Sequence, residues 1–367
     1  MTNKNLKYWM ALAKCDFDSL YTIEAYRHFG SIEEVWYAST SDVAQIETIG
    51  LQKAANMSER KKKVIPDEAL DEILSRGITP IVYEDEDYPE LLRHIHNPPA
   101  RLFVKGDFKS CNFDKALAVV GSRKASHYII EILGKIIRDL PAKDITIISG
   151  MALGTDTCAH QAALDAGLKT IAVLGGGFDF IYPASNKLLF EKIIDGNGAV
   201  MTEYYPTIEP MSWQFPHRNR IVSGMSHGVL VGEAAEKSGA LITANLALEQ
   251  GKELLCIPGL ITNPNAKGPN DLIKKGAAMI TEADDILNAM QWEAQALSKN
   301  HTDKLHNKLL DNEQKVYKTL SLEPKSIDII LEETLLSTAE LMVILTSLEL
   351  QGIIKQLPQE KFIRTLQ

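Results

Sequence analysis

Three loops near the middle of the chain carry residue types that could hold an anion. Gly121-Ser122-Arg123 follows the apolar run Ala116–Val120, Ser149-Gly150-Met151-Ala152-Leu153-Gly154-Thr155-Asp156 follows residues 145–148, and Gly175-Gly176-Gly177 follows residues 170–174. Glycine lets a backbone approach an anion closely, Ser122 offers a hydroxyl and Arg123 a fixed positive fork, so the loops read as a phosphate cradle. One glycine after a strand would mark only a tight turn; repetition at three consecutive strand ends is what points to an anion site. Downstream, Phe215-Pro216-His217-Arg218-Asn219-Arg220 sets two arginines around an asparagine, with Trp213 and Phe215 beside them. Arginines for phosphates and aromatic faces for bases are the chemistry of a single-strand nucleic-acid site, because stacking accepts any base. The alternative is that Arg218 or Arg220 pairs with Glu203 or Glu233 inside the fold.

Other chemistries find less support. No G-x-G-x-x-G is followed at the right distance by an acidic residue, and no G-x-x-x-x-G-K-[ST] occurs, which disfavours NAD binding and ATP hydrolysis; no cofactor is expected. Gly224-Met225-Ser226-His227-Gly228 spells a nucleophile elbow, but a helix precedes it and the apolar Val229-Leu230-Val231 follows, the reverse of what that motif requires. The histidines, His94 and His96 included, show no metal-ligand spacing. Cys15, Cys111, Cys158 and Cys256 are far apart with no C-x-x-C pair, so they are expected as buried free thiols. The net charge, 39 minus 48 or -9, argues against coating a duplex by bulk charge and requires any nucleic-acid site to be local. No apolar run is long enough to span a membrane, and the amino-terminal residues make no secretory signal, so a cytoplasmic protein is expected.

The elements that must position these residues follow from the hydrophobic pattern. Short apolar runs alternate with glycine-bearing loops and helix-period segments between about residues 77 and 280, which predicts a doubly wound α/β domain with a mostly parallel sheet. Arg101–Gly106 reads as an added edge strand. Upstream, short helices form a small domain with a Ser41-Asp42 cap opening a stretch that reaches Gly50; the Ile49-Gly50-Leu51 segment fits either a helix-hairpin-helix turn offering amides to a phosphate or a plain helix C-cap. Arg60-Lys61-Lys62-Lys63 reads as a solvated helix face. Expected boundaries are a helical domain over 1–72, a sheet domain over 73–288, a linker over 289–310 and a winged-helix-like domain over 311–367.

The blocks Val120-Gly121-Ser122-Arg123, Ser149 to Asp156 with Ala159-His160, and Thr170 to Asp179 with Tyr182-Pro183 and Asn186 together resemble the DNA-processing protein A (DprA, also Smf) family. The likeness continues through Phe215 to Arg220, Glu233-Ala234, Ser238 to Ala244, Pro258-Gly259 and Gly268-Pro269-Asn270 to Gly276-Ala277. The resemblance implies an extended Rossmann domain that binds single-stranded DNA, forms a homodimer through that domain, catalyses no reaction, and hands the strand to the RecA recombinase in natural transformation. It further implies that Ser122 and Arg123 hold phosphate, that Gly150, Gly154, Gly175 and Gly177 line the pocket, and that Arg218, Asn219 and Lys237-Ser238-Gly239 complete its rim; Asp156, Trp213, Phe215 and Arg220 complete the candidate DNA-binding set. Ser212 stands where some relatives carry lysine, and Thr155 where isoleucine is usual.

A second class of function is an enzyme: nucleotide phosphoribohydrolases resembling the LOG family use a similar sheet, and Glu233 with Ser238-Gly239-Ala240 sits in the comparable region, but their P-G-G loop is absent. In the tail, the expected recognition helix, residues 337–350, contains Glu340 and Glu349 and no lysine or arginine. A helix that reads a major groove normally presents basic or amide side chains, so this one is expected to bind a partner or pack.

Overall fold

The computed structural model describes residues 5–141, 144–196, 198–292, 311–358 and 360–365. Six helices come first: α1 (Leu6–Lys14), α2 (Ser19–Phe29), α3 (Ile32–Tyr37), α4 (Thr40–Ala44), α5 (Gly50–Lys61) and α6 (Pro66–Ser75). The cap lies two residues before the expected Ser41-Asp42: it is Ser39, whose hydroxyl accepts from Asp42 N, and the helix it opens ends at Ala44. Gly50 opens a new helix at φ +66, with its amide donating to Ile46 O, so the turn between α4 and α5 is closed on itself.

The sheet domain alternates strand and helix as the apolar runs require. In chain order it comprises β1 (Thr79–Val82), α7 (Glu90–Arg93), β2 (Arg101–Gly106), β3 (Ala116–Val120), α8 (His127–Arg138), β4 (Thr146–Ser149), α9 (Thr155–Asp165) and β5 (Lys169–Val173). It continues with α10 (Lys187–Asp195), β6 (Gly198–Thr202), α11 (Gln214–Gly224), β7 (Gly228–Val231), α12 (Gly239–Glu249), β8 (Glu253–Cys256), α13 (Lys267–Lys274), β9 (Ala278–Met279) and α14 (Ala283–Ala289). Among the described residues one sheet runs β1-β2-β6-β5-β4-β3-β7-β8-β9. The pairs from β6 to β9 are parallel, whereas β2 pairs antiparallel with both β1 and β6. Arg101–Gly106 is therefore an inner strand and not the edge; Thr79–Val82, whose Pro80 lacks an amide donor, takes the edge. The order reverses at β3, where β4 lies on one side and β7 on the other, and open sheets of this kind bind ligands at such a switch point.

Central strands β3, β4, β6 and β7 are buried along their whole length, which is why β3 and β7 are unbroken apolar runs and β4 and β6 admit hydroxyl residues only at their ends. One face packs on α8, α9 and α14, the other on α7, α11, α12 and α13. The amino-terminal helices share a third core with Phe103, Val200 and Tyr205, and Arg76 pairs with Asp179 at 2.7 Å. Cys15, Cys111 and Cys256 are buried and Cys158 half-buried, all free, with burial pushing the thiols up to about 11 or 12. Ser226 is buried after α11 and donates to Ser223 O at 2.9 Å, so the elbow-like sequence exposes no nucleophile. No helix among the described residues is long and apolar enough to cross a membrane.

Beyond residue 310 lie α15 (Asp311–Thr319), β10 (Lys325–Ser326), α16 (Ile327–Thr334), α17 (Thr338–Leu350), β11 (Ile354–Leu357) and β12 (Lys361–Arg364). The strands form an antiparallel sheet in the order β10-β12-β11, and Val316, Ile330, Leu345 and Phe362 make a core of their own: a winged helix. Most of the expected linker, residues 293–310, lies outside the described residues.

His160 on α9 ties the helix to the sheet. Its Nδ1 lies 2.7 Å from Thr170 Oγ1, whose hydroxyl donates to Ile147 O, so Nδ1–H donates to threonine and the ring is neutral. Burial holds its pKa down at about 3. Between pH 6.5 and 3 the unfolded chain binds a proton that the folded one excludes, so this group makes stability fall with acidification by up to about 1.4 kcal/mol per pH unit. Urea unfolding of native protein and His160→Gln at pH 7 and pH 5 tests this: the variant should lose about 2 kcal/mol less over the interval. Equal losses would show that His160 is not the buried acid sensor described.

Candidate nucleic-acid interface

The loop after β3 is held from two directions. Ser126 caps α8, its hydroxyl accepting from Ile129 N at 3.2 Å and donating to Glu233 Oε1 at 2.6 Å, while Ser126 N donates to Glu233 Oε2 at 2.9 Å. Glu233, at the end of β7, also accepts from Asn263 Nδ2 at 2.8 Å, and Asn265 Nδ2 donates to Lys124 O at 3.3 Å. The Arg123 loop is thereby braced against the loops after β7 and β8, which leaves the exposed Arg123 free to point outward.

The loop after β4 lies against it. Gly154 sits at φ +76, and a Cβ there would collide with the carbonyls of Ser122 and Arg123; Thr155 N donates to Ser122 O at 3.2 Å. A positive φ and a backbone contact both demand glycine. The amides of Gly150 and Ala152 donate to Asp156 Oδ2 at 3.1 and 3.2 Å, turning the loop around the first residues of α9.

Arg218 enters from α11 beneath this loop. It is 4% exposed, and its Nη1 donates to Gly150 O at 2.7 Å and to Val173 O, while Nε donates to Asn219 Oδ1 at 3.2 Å. Burial pulls the guanidinium down to about 10, with Asp156 opposing; burial raises the Asp156 carboxyl, with Arg218 and the two amides opposing. The two groups form a buried pair under the site floor, and Gly150 has no room for a Cβ because their side chains fill the space.

Above that floor opens a pocket of about 340 Å³. It brings together Ser122, Arg123, Asp156, Phe215, Arg218, Asn219, Ser238 and Gly239 from the anticipated set, and adds Gly121, Ala152, Pro216, Ala240 and Thr243. Gly150 lines an adjoining cleft with Arg123, Leu153, Tyr182 and Phe215. The Arg123 guanidinium stands 5.5 Å from the centre of the Phe215 ring, and Tyr182 packs 5.4 Å from the same ring at an interplanar angle of 55°. The first residues of α9 and α12 face the pocket, so two helix N-termini supply partial positive charge to an anion there. Ser238, at the cap of α12, keeps a buried hydroxyl with no hydrogen-bond partner among the described residues.

The remaining anticipated residues lie elsewhere. Gly175 is covered by the Phe215 ring, and Gly177 is packed against the backbone of Tyr205 and Pro206, so both permit close approach of segments and do not line the pocket. Gly154 faces a groove over α9. Trp213 is 56% exposed beside Tyr204 and His217, outside the pocket, as is the exposed Lys237. Arg220 is turned inward: its Nη1 and Nη2 bind the two oxygens of Glu203 at 2.8 and 2.7 Å. Burial alone would raise Glu203, but Arg220 and a hydrogen bond from His217 hold it well below the usual carboxylate range. Of the two arginines, Arg220 is thus the one taken up by Glu203. Tyr182 was missed as a site residue; its signal is an exposed aromatic just past the third glycine loop. Thr243 was recoverable from its place one turn into α12.

The sequence model described as DNA recombination-mediator protein A matches residues 79–291, and the DprA winged helix domain model matches residues 303–360. The chain is 37% identical over 255 residues to the DNA processing protein DprA of Bacillus subtilis, covering 68% of this chain and 85% of that one. The X-ray structure of DNA processing protein A from Streptococcus pneumoniae superposes with a TM-score of 0.69 at 33% identity, over 78% of this chain and 98% of that chain. A structure addressing the single-stranded DNA binding mode of the Helicobacter pylori DNA processing protein A superposes with a TM-score of 0.52 at 30% identity, over 58% and 96%.

The inward orientation of Arg220 has a measurable consequence. Arg220→Ala strands the buried Glu203 carboxylate, so chemical denaturation should show a loss of about 3 to 5 kcal/mol. The paired change Arg220→Met with Glu203→Leu removes both charges and should cost less. An Arg220→Ala variant as stable as the native protein would contradict a structural role.

Proposed function

The chain belongs to the DNA recombination-mediator protein A family, the DprA/Smf proteins, and from that premise we propose that it binds single-stranded DNA across the Arg123–Phe215 pocket and loads a RecA recombinase onto the strand. The observation that carries this reading is an exposed guanidinium over an aromatic ring at the mouth of a pocket edged by two helix N-termini. Arg123 has no carboxylate partner among the described residues, so its charge is available to a phosphate, while Phe215 and Tyr182 offer faces to a base. Ser122, Gly150, Asn219, Ser238 and Gly239 complete the contact surface, with Trp213 and Lys237 at its margin. Arg218 and Asp156 act from below by shaping the loop.

We assign this activity to a homodimer formed through the sheet domain, working in the cytoplasm during recombination and natural transformation. It is a binding function with no reaction catalysed. The hydrolase alternative gains no support from Glu233, whose carboxylate is engaged by Ser126 and Asn263 and does not line the pocket. Incubation with nucleoside monophosphates should release no ribose phosphate.

Preference for single strands follows from geometry. A pocket of this size at the strand ends accepts one splayed nucleotide, whereas a duplex first loses a few kcal/mol to unpair and unstack it. The net charge of -9 provides no broad positive surface to offset that loss. Gel shifts at two salt concentrations should favour a single strand over its blunt duplex, and equal affinities would overturn the pocket.

Arg123→Ala should weaken all single-stranded sequences alike and lower the salt slope by about 0.7; an unchanged slope rejects the phosphate contact. Phe215→Ala should lose roughly 1 to 3 kcal/mol of binding, more than Trp213→Ala, because only Phe215 lies in the pocket; the opposite order would move the stacking platform to Trp213. Truncation after Trp292 should leave single-strand affinity within a few fold, and a hundredfold loss would assign the winged helix to the DNA site.

A further inference from the structure

We propose that the outer face of α17, with the groove between α17 and α15, docks a basic amphipathic helix of a partner protein. This surface is separate from the DNA pocket, and the inference stands independently of that pocket's assignment. In the winged helix, α16 and α17 are joined by a tight turn through Leu335 at φ +56, which gives α17 the place of the second helix of a helix-turn-helix pair. Leu341, Leu345 and Leu348 bury one side of α17 against Val316, Ile330 and Phe362. The opposite side is apolar too: Val343 is 70% exposed and Leu350 86%, with Met342 also exposed.

Ala339, Val343 and Leu350 fall at i, i+4 and i+11 on one face of the helix, with Thr346 at i+7 between them, its hydroxyl turned back to donate to Met342 O at 2.8 Å, and a face of this kind complements the apolar face of another helix. Beside this face an open groove of about 830 Å³ lies between α15 and α17, with the small Ala339 along it and Glu313 and Glu340 in its lining. Glu340 accepts from both the hydroxyl and the amide of Ser337, and these bonds lower its pKa, so it stays ionised. Glu349 adds a second acid on α17. The basic residues Lys315, Lys318, Lys325, Lys355, Lys361 and Arg364 do not line the groove.

The charge pattern selects the occupant. Duplex DNA, with a negative charge about every 1.7 Å of its axis, would meet Glu340 and Glu349 where a groove-reading helix carries bases. A second copy docking through the same face about a two-fold axis would set these acids against themselves. A helix with leucine-like side chains on one face and lysine or arginine along its flanks satisfies this face and the acidic rim together.

The test uses the full chain and two fluorescein-labelled 16-residue peptides, both with leucines at i, i+3, i+4 and i+7, one flanked by lysine and arginine and the other by glutamate. Fluorescence anisotropy should show the basic peptide binding at least tenfold more tightly, undiminished by saturating single-stranded oligonucleotide. Val343→Ser with Met342→Ser should weaken it at least tenfold, and Glu313→Gln with Glu340→Gln should weaken it and flatten its salt dependence. Single-strand affinity should not change in either variant. Equal binding of both peptides, or binding indifferent to the serine variant, overturns the proposal. So does a serine variant that loses self-association in sedimentation, which makes the occupant a second copy, or one that loses duplex affinity, which makes the face a DNA reader. Both replaced residues are exposed, so the variant should melt with the native protein; a lower melting temperature would show that the chain itself covers this face and equally defeats the docking site.

Discussion

A guanidinium buried beneath a backbone loop must be surrounded by acceptors or it destabilises the fold by several kcal/mol. Arg218 imposes that requirement on the carboxyl ends of the central strands. Its partners are the carbonyls of Gly150 and Val173, at the ends of β4 and β5, and Asp156 supplies the compensating charge while collecting the amides of Gly150 and Ala152. The loop after β4 is thus shaped by one charge below it. Glycine at 150 is what lets that charge come close, and glycine at 154 is what lets the same loop touch the backbone of Ser122 and Arg123. The exposed arginine at the mouth of the pocket owes its position to the buried one in its floor.

A second buried charge does comparable work further down α11. Arg220 and Glu203 bind through both nitrogens and both oxygens, and Ser19 on α2 donates to the same carboxylate at 3.3 Å. The amino-terminal helices are therefore anchored to the sheet by polar bonds as well as by the shared core around Phe103 and Tyr205. Arg76 extends that anchoring to Asp179, in the segment that carries Tyr182 towards Phe215. Alternate positions on one helix, two residues apart, thus serve two separate charge pairs, since a helix turns about 200° over two residues.

Much of this arrangement was legible because parallel strands buried on both faces must be apolar runs, and the loops after them must pass close to one another. Residues 116–120, 170–173 and 229–231 read directly as strands for that reason. The place of Arg101–Gly106 was not legible: an inner and an edge strand of this length differ in what lies beside them, and that neighbour is Thr79–Val82 only after folding. Likewise Ser39, Ser41 and Asp42 are all acceptable capping residues, and only the path of the backbone chose Ser39.

By itself the sequence determined the residue types at the strand ends, the doubly wound order, the winged tail and the lack of basic residues on its second helix, because periodicity and charge are local properties of a chain. Tertiary structure decided which charges face water. Arg123, Arg218 and Arg220 are chemically identical, yet the first stands over Phe215, the second lies under Gly150 and the third is locked to Glu203. That division depends on contacts between residues from 17 to 68 positions apart and further, and a carboxylate within reach of a buried guanidinium is a fact of packing that no spacing along the chain encodes.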